Sequence, residues 1–239
     1  VILDEAHQLP DTATTFFGEQ TTAGQLAELA RDAEVAARTT LSDVPGLPDA
    51  AADIAPAIRR LRLAAGDLPA KMPREIALAR EGFAEAIDEL AASVDRVSAD
   101  LSHFAERSED LASVASRAHD ASMRIARWRD AADAPDESGE RWIRWLDVTP
   151  GGFQLHASPL SVANLFRRQL DATARAWIFT SATLAVGGSF AHYTRELGLD
   201  DADTGAWESP FDYGTQALLY VPKGLPEPNS AAHTDAVID

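Results

Sequence analysis

The sequence predicts an α/β fold interrupted by a large all-α insertion, and three observations carry that prediction. Val1-Ile2-Leu3 is an apolar strand that runs straight into Asp4-Glu5-Ala6-His7. A second apolar strand, Ala176 to Phe179, ends in Thr180-Ser181-Ala182-Thr183-Leu184. Between them lies a long stretch whose apolar residues recur every three and four positions, the period of a helix. A chain that opens on a central, buried strand is expected to be a segment of a longer protein.

The elements follow in order. Pro10 is expected to end the turn after the first strand. A helix is predicted over Thr22 to Thr40, with Leu26, Leu29, Ala30, Ala33 and Ala37 on one face. Pro45, Gly46 and Pro48 break it, and a second helix runs from about Asp49 to Ala65 through Ile54, Ile58 and Leu61. Gly66, Pro69 and Pro73 break the chain again. From Phe83 a heptad seam begins: Ile87, Leu90, Val94, Val97, Leu101, Phe104, Ser108, Leu111, Ala115, Ala118, Ser122 and Ile125. The polar stretch Glu106 to Asp110 is read as the bend between two long antiparallel helices. Such a seam must be covered, so it is expected to pack on the two earlier helices as an elongated bundle. Asp133 to Gly139 reads as a loop. Trp142 to Leu146 and Phe153 to His156 alternate around Pro150-Gly151-Gly152, a β-hairpin pattern. Pro159 to Leu170 reads as a short helix capped by Ser158. Beyond Gly187 the chain is rich in Gly and Pro, with one strand predicted at Ala217 to Val221.

Bulk properties exclude several classes. A chain of 239 residues with 46% hydrophobic content is not disordered, and it holds no cysteine for disulfides or thiolate metal sites. No run of eighteen apolar residues spans a membrane, and no signal peptide is visible. The formal charge of −17 argues against a broadly basic surface, so any nucleic-acid contact must be local.

Two carboxylates at the C-terminal end of a strand are what a nucleotide hydrolase needs. Asp4 can hold Mg²⁺ through its hydration shell, because Mg²⁺ keeps several waters. Glu5 is placed to orient or deprotonate an attacking water, and His7 to link the site to its neighbours. Ser181 and Thr183, small hydroxyl residues on the other strand end, are candidates for coupling that site to a moving element.

Asp4-Glu5-Ala6-His7 paired with Ser181-Ala182-Thr183-Leu184 resembles motifs II (the DEAH box) and III of a superfamily 2 helicase. The motifs stand 177 residues apart, counted from Asp4 to Ser181. A long helical insertion there, the arch, is similar to that of the XPD/DinG branch of DNA helicases. Glu208-Ser209-Pro210-Phe211-Asp212-Tyr213, with Gln216 to Leu218 and Leu225-Pro226, resembles the start of a second motor domain on the DinG side. The resemblance implies RecA-like motor pieces: 1–11 as the end of motor domain 1, 12–140 as the arch, 141–186 as the return to motor domain 1, and 187–239 as the start of motor domain 2. It implies an ATP- and Mg²⁺-dependent 5′–3′ DNA helicase of repair or replication, acting on single-stranded, forked or R-loop DNA in the bacterial cytoplasm at the nucleoid. Asp4 then matches the metal-binding acid, Glu5 the catalytic acid, and Ser181 and Thr183 the coupling motif. Many relatives carry a 4Fe–4S cluster between the phosphate loop and the acidic motif, a region outside this sequence. No GxxxxGK[ST] phosphate loop is present, so the segment is expected to be inactive alone.

Weaker features have ordinary readings beside functional ones. Arg124, Arg127 and Trp128, with Arg117 and Arg129, form a cationic cluster suited to a single strand or simply to solvent. Trp142 and Trp145 are expected in the core on one strand face. Arg167, Arg168 and Asp200 to Asp203 read as solvated charge. Two alternatives stay open: a DinG-like helicase fused to an exonuclease, and a non-catalytic helical-bundle interaction module.

Overall fold

Four helices carry the seam and its partners. The computed structural model describes residues 1–41, 44, 46–66, 70–130, 139–172 and 174–238. The breaks expected at Pro45 and Pro69, and the loop expected over Asp133 to Ser138, lie outside those residues. In chain order, β1 (Ile2–Leu3) leads through a 3₁₀ turn (Ala6–Gln8) into α1 (Leu9–Phe17) and β2 (Glu19–Thr22). Then come α2 (Ala23–Thr39), α3 (Leu47–Ala64), β3 (Ala70–Pro73), α4 (Arg74–Leu78), α5 (Phe83–Ser102) and α6 (Glu109–Arg129). The hairpin β4 (Trp142–Thr149) and β5 (Gly152–Pro159) follows, then α7 (Ala163–Asp171), β6 (Ile178–Phe179) and α8 (Ala191–Leu197). Two short helices end the chain, α9 (Tyr213–Gln216) and α10 (Ala231–Ile238).

The seam folds as two helices, α5 and α6, joined through a 3₁₀ turn at Ala105–Arg107. Ile87, Leu90, Val94, Val97 and Leu101 are fully buried, as are Ala118 and Ile125. Ser108, counted in the seam, instead caps α6, its hydroxyl accepting from Leu111 N at 3.2 Å. That bond satisfies a donor left over at the helix start. Thr22 and Gln25 cap α2 reciprocally, at 3.1 Å for Gln25 N to Thr22 Oγ1 and 2.9 Å for Thr22 N to Gln25 Oε1. Helices α2 and α5 each pack on both α3 and α6, which closes a four-helix bundle.

The bundle is not all-α. A four-stranded antiparallel sheet, in the order β2-β5-β4-β3, covers one side of it. Leu146, Val148, Phe153, Leu155 and Met72 point into the bundle's own core. Strands β2 and β3 carry too few apolar residues to signal themselves, and only pairing with the hairpin makes them strands. The hairpin read with the flanking α/β fold therefore shares its core with the helices of the insertion.

Three local expectations are corrected. Residues three apart in a strand face opposite ways. Thus Trp145 lies on the outer sheet face, stacked on His156 at 4.7 Å with Lys71 over its ring, while Trp142 lies on the other face, and both are half-buried. Ser158 and Pro159 remain in β5 and do not start a helix, because the ladder pairs Pro159 with Trp142 and continues through Leu160 N to Arg141 O at 2.7 Å. Ala217 to Val221 forms no ladder with any described residue and is exposed, so it is not a strand.

The compact unit Val1–Ala202 also contains a small second cluster around Ala6, Ala13, Val162, Leu170, Tyr193, Leu197 and Leu199. Helix α8 belongs to this cluster. Arg167 pairs with Asp171 at 3.1 Å and with Asp201, tying α7 to the chain beyond α8 rather than standing free in solvent. Gly198 ends α8 at φ 67°, and a Cβ there would lie 2.6 Å from the Ala163 carbonyl oxygen. Gly198→Ala is expected to cost about 2 kcal/mol through that clash and the left-handed backbone. A lower midpoint in denaturant unfolding checks it. The unit Asp203–Asp239, taken by itself, exposes Trp207, Leu218, Leu219 and Tyr220. Among the described residues no helix is long and apolar enough to cross a membrane.

Candidate nucleotide-hydrolysis site

Strands β1 and β6 pair in parallel, Ile2 against Ile178 and Leu3 against Phe179. This small sheet is more exposed than the sequence suggests: Ile2 is 70% and Ile178 50% exposed, since only two strands build it. The pairing sets the two motifs side by side at the same sheet end. Thr180 N donates to Leu3 O at 2.9 Å, and Ala6 N donates back to Thr180 O at 3.0 Å.

The chain leaves β1 sharply. Glu5 sits at φ 52°, ψ 36°, the one non-glycine residue with positive φ among those described. A left-handed backbone costs an L-residue about 1–2 kcal/mol. It is held by Ala6, which is buried at 1% exposure and anchors the turn in the small cluster. The Glu5 carboxylate is thereby thrown into solvent beside the second motif, 65% exposed.

The side chains then form one connected group. Thr180 Oγ1 donates to Asp4 Oδ1 at 2.8 Å. That bond, with the Glu5 backbone N–H, holds the Asp4 carboxyl below its ordinary pKa against a small opposing effect of burial, so it is ionised at neutral pH. His7 Nδ1 lies 2.9 Å from Ser181 Oγ and 3.2 Å from Glu5 Oε2. Ser181 Oγ makes a long contact of 3.4 Å to Glu5 Oε2 and accepts from Thr183 N at 3.3 Å. With the Nδ1–H tautomer of His7, Ser181 Oγ can accept from His7 and from Thr183 N while its own hydroxyl proton faces Glu5 Oε2.

All five residues expected at this site, Asp4, Glu5, His7, Ser181 and Thr183, are therefore brought together. Thr180, which the sequence reading quoted with the second motif but did not single out as a site residue, joins them. Its signal was a hydroxyl at the end of the second strand, one step beyond the Leu3–Phe179 pair. Among the described residues no three side chains converge as a metal cage. Mg²⁺ fits the donor set nonetheless, because it is commonly held by one or two carboxylates together with waters and phosphate oxygens. Asp4 and Glu5 supply hard carboxylate oxygens at an open surface.

The cationic cluster on α6 separates. Trp128 is 2% exposed, with Nε1 donating to Trp145 O at 3.3 Å and its ring against Phe83, so it offers no face to a base. Arg127 makes a two-point pair with Glu19, Nε to Oε2 at 3.2 Å. Arg117 is paired with Asp32 at 2.6 Å. Arg124 makes no ion pair among the described residues and lines a cleft of about 300 Å³ with Gln25, Glu28 and Arg117.

Comparison with known proteins agrees with the two motifs. The chain is 34% identical over 231 residues to the ATP-dependent DNA helicase YoaA of Haemophilus influenzae, covering 96% of the chain. Over nearly its whole length the chain is DinG-like in sequence. The Escherichia coli protein of the same name is also 34% identical, over 236 residues. The ATP-dependent DNA helicase DinG of Photobacterium profundum is 27% identical over 287 aligned positions and 99% of the chain. No family model matches the chain. The DinG-like segment spans 35% of each YoaA protein and 39% of that DinG.

Proposed function

We propose that this DinG-like segment contributes the hydrolytic acids and the coupling motif of an ATP-dependent DNA helicase. The observation that carries the reading is the hydrogen-bonded meeting of Asp4, Glu5 and His7 with Thr180 and Ser181 across 174–176 residues of chain. Such contact gives any change at a γ-phosphate a direct route into the strand that bears the second motif. Bound Mg²⁺ supplies neutralisation of phosphate charge. Asp4 would hold it, Glu5 would orient the attacking water and take its proton, and His7 with Ser181 would hold Glu5 in place. Thr183, bonded to Ser181 through its backbone, extends the link toward Leu184 in the small cluster.

The finer reading is a RecA-like motor with the helical bundle as its arch, translocating 5′ to 3′ on single-stranded DNA in repair or replication and engaging forked or R-loop DNA. On the bundle, DNA contact is proposed for Arg124 alone, since among the described residues its guanidinium makes no ion pair. The full-length protein is expected to hydrolyse ATP faster with single-stranded DNA than without it, and to unwind duplexes bearing a 5′ tail but not those bearing a 3′ tail. Turnover indifferent to DNA sinks the motor reading, and a preference for 3′ tails sinks the polarity.

A further inference from the structure

We propose that Thr180 is a positioning residue for Asp4, fixing the carboxylate that faces the metal–nucleotide. The inference rests on the hydrolase reading of the site and adds a residue to it. Thr180 touches the first motif three times: its N–H bonds Leu3 O, its carbonyl accepts from Ala6 N, and its hydroxyl bonds Asp4 Oδ1 at 2.8 Å. The two backbone bonds bracket Asp4 and Glu5 and would survive any substitution that keeps the strand. Only the hydroxyl reaches a functional side chain. By occupying Oδ1 it restricts the rotation of an exposed carboxylate and leaves Oδ2 as the oxygen it does not engage. Outer partners of metal-facing groups act in this way, by orienting rather than ligating.

The geometry also separates this role from a structural one. Thr180 is exposed, so its hydroxyl needs no partner for stability. Thr180→Val keeps the branched shape and both backbone bonds and suits a strand at least as well. Thr180→Ser keeps the hydroxyl but gives up the methyl group. A structural role therefore predicts that Val is tolerated and Ser is the worse change, whereas a positioning role predicts the reverse.

The test uses the full-length protein with a non-hydrolysable ATP analogue, titrated with Mn²⁺ and followed by electron paramagnetic resonance, beside Mg²⁺ titrations of ATP turnover. Thr180→Val is expected to weaken nucleotide-dependent Mn²⁺ binding about tenfold, with Thr180→Ser within about twofold of wild type. The Mg²⁺ concentration for half-maximal turnover should shift in parallel while the unfolding midpoint stays unchanged. Wild-type Mn²⁺ affinity in the Val variant, or an equal loss in Ser and Val, overturns the inference while leaving the hydrolase reading intact. A wild-type protein with neither nucleotide-dependent Mn²⁺ binding nor turnover overturns both.

Discussion

Glu5→Gln is expected to lower DNA-stimulated ATP turnover of the full-length protein by about a thousandfold, the scale of losing a general base. That factor corresponds to about 4 kcal/mol of transition-state stabilisation. The substitution keeps the shape of the side chain and its ability to accept from His7 and Ser181, so nucleotide binding should persist while kcat falls. Steady-state kinetics with a parallel nucleotide-binding titration separates the two effects. Glu5→Gly makes the complementary point. Glycine adopts φ 52° without strain, so this variant should lose turnover at no cost in stability. A backbone held in a disfavoured region by its surroundings, bearing the carboxylate proposed as the base, fits the pattern of strain kept for function. Turnover within tenfold of wild type in Glu5→Gln would remove Glu5 from the mechanism and favour the non-catalytic bundle.

Trp128→Ala is expected to destabilise the bundle by about 3–5 kcal/mol, the usual cost of emptying a fully buried aromatic site. Trp128 joins the end of α6 to the sheet through its Nε1–H to Trp145 O and fills the space beside Phe83. Nearby, Arg74 donates to the carbonyls of Trp128 and Arg129 at 2.8 and 2.6 Å, so the helix end is bonded as well as packed. Denaturant unfolding measures the loss. The alternative role, stacking on a single strand, predicts the opposite signature: unchanged stability and weaker DNA binding. A loss under 1 kcal/mol would contradict the packing described here.

Much of the helical architecture was legible because helix burial has a period that a sequence displays. The seam from Phe83 to Leu101 and the covering face of α2 read directly as stripes, and the stripes are buried. Strands of four polar or proline-containing residues carry no such stripe. Glu19 to Thr22 and Ala70 to Pro73 became visible only when the hairpin offered them hydrogen-bond partners. The same limit explains the errors on tryptophan. Trp128 falls within a run of arginines and reads as a surface residue, yet it is buried where α6 meets the sheet.

By itself the sequence determined the chemistry on offer: two acids and a histidine after one apolar strand, and hydroxyls after another, separated by a long helical insertion. Covalent order dictates which groups follow a strand, and helical periodicity dictates which faces are covered. Only the tertiary structure decided that these groups meet. Parallel pairing of β1 with β6 brings Thr180 to Asp4 and Ser181 to Glu5 across 176 residues each. It also decided which arginines of α6 are paired, because Glu19 and Asp32 reach Arg127 and Arg117 from elements far away in sequence. Hydrogen bonds and ion pairs act over a few ångströms of space, and separation along the chain does not encode that distance.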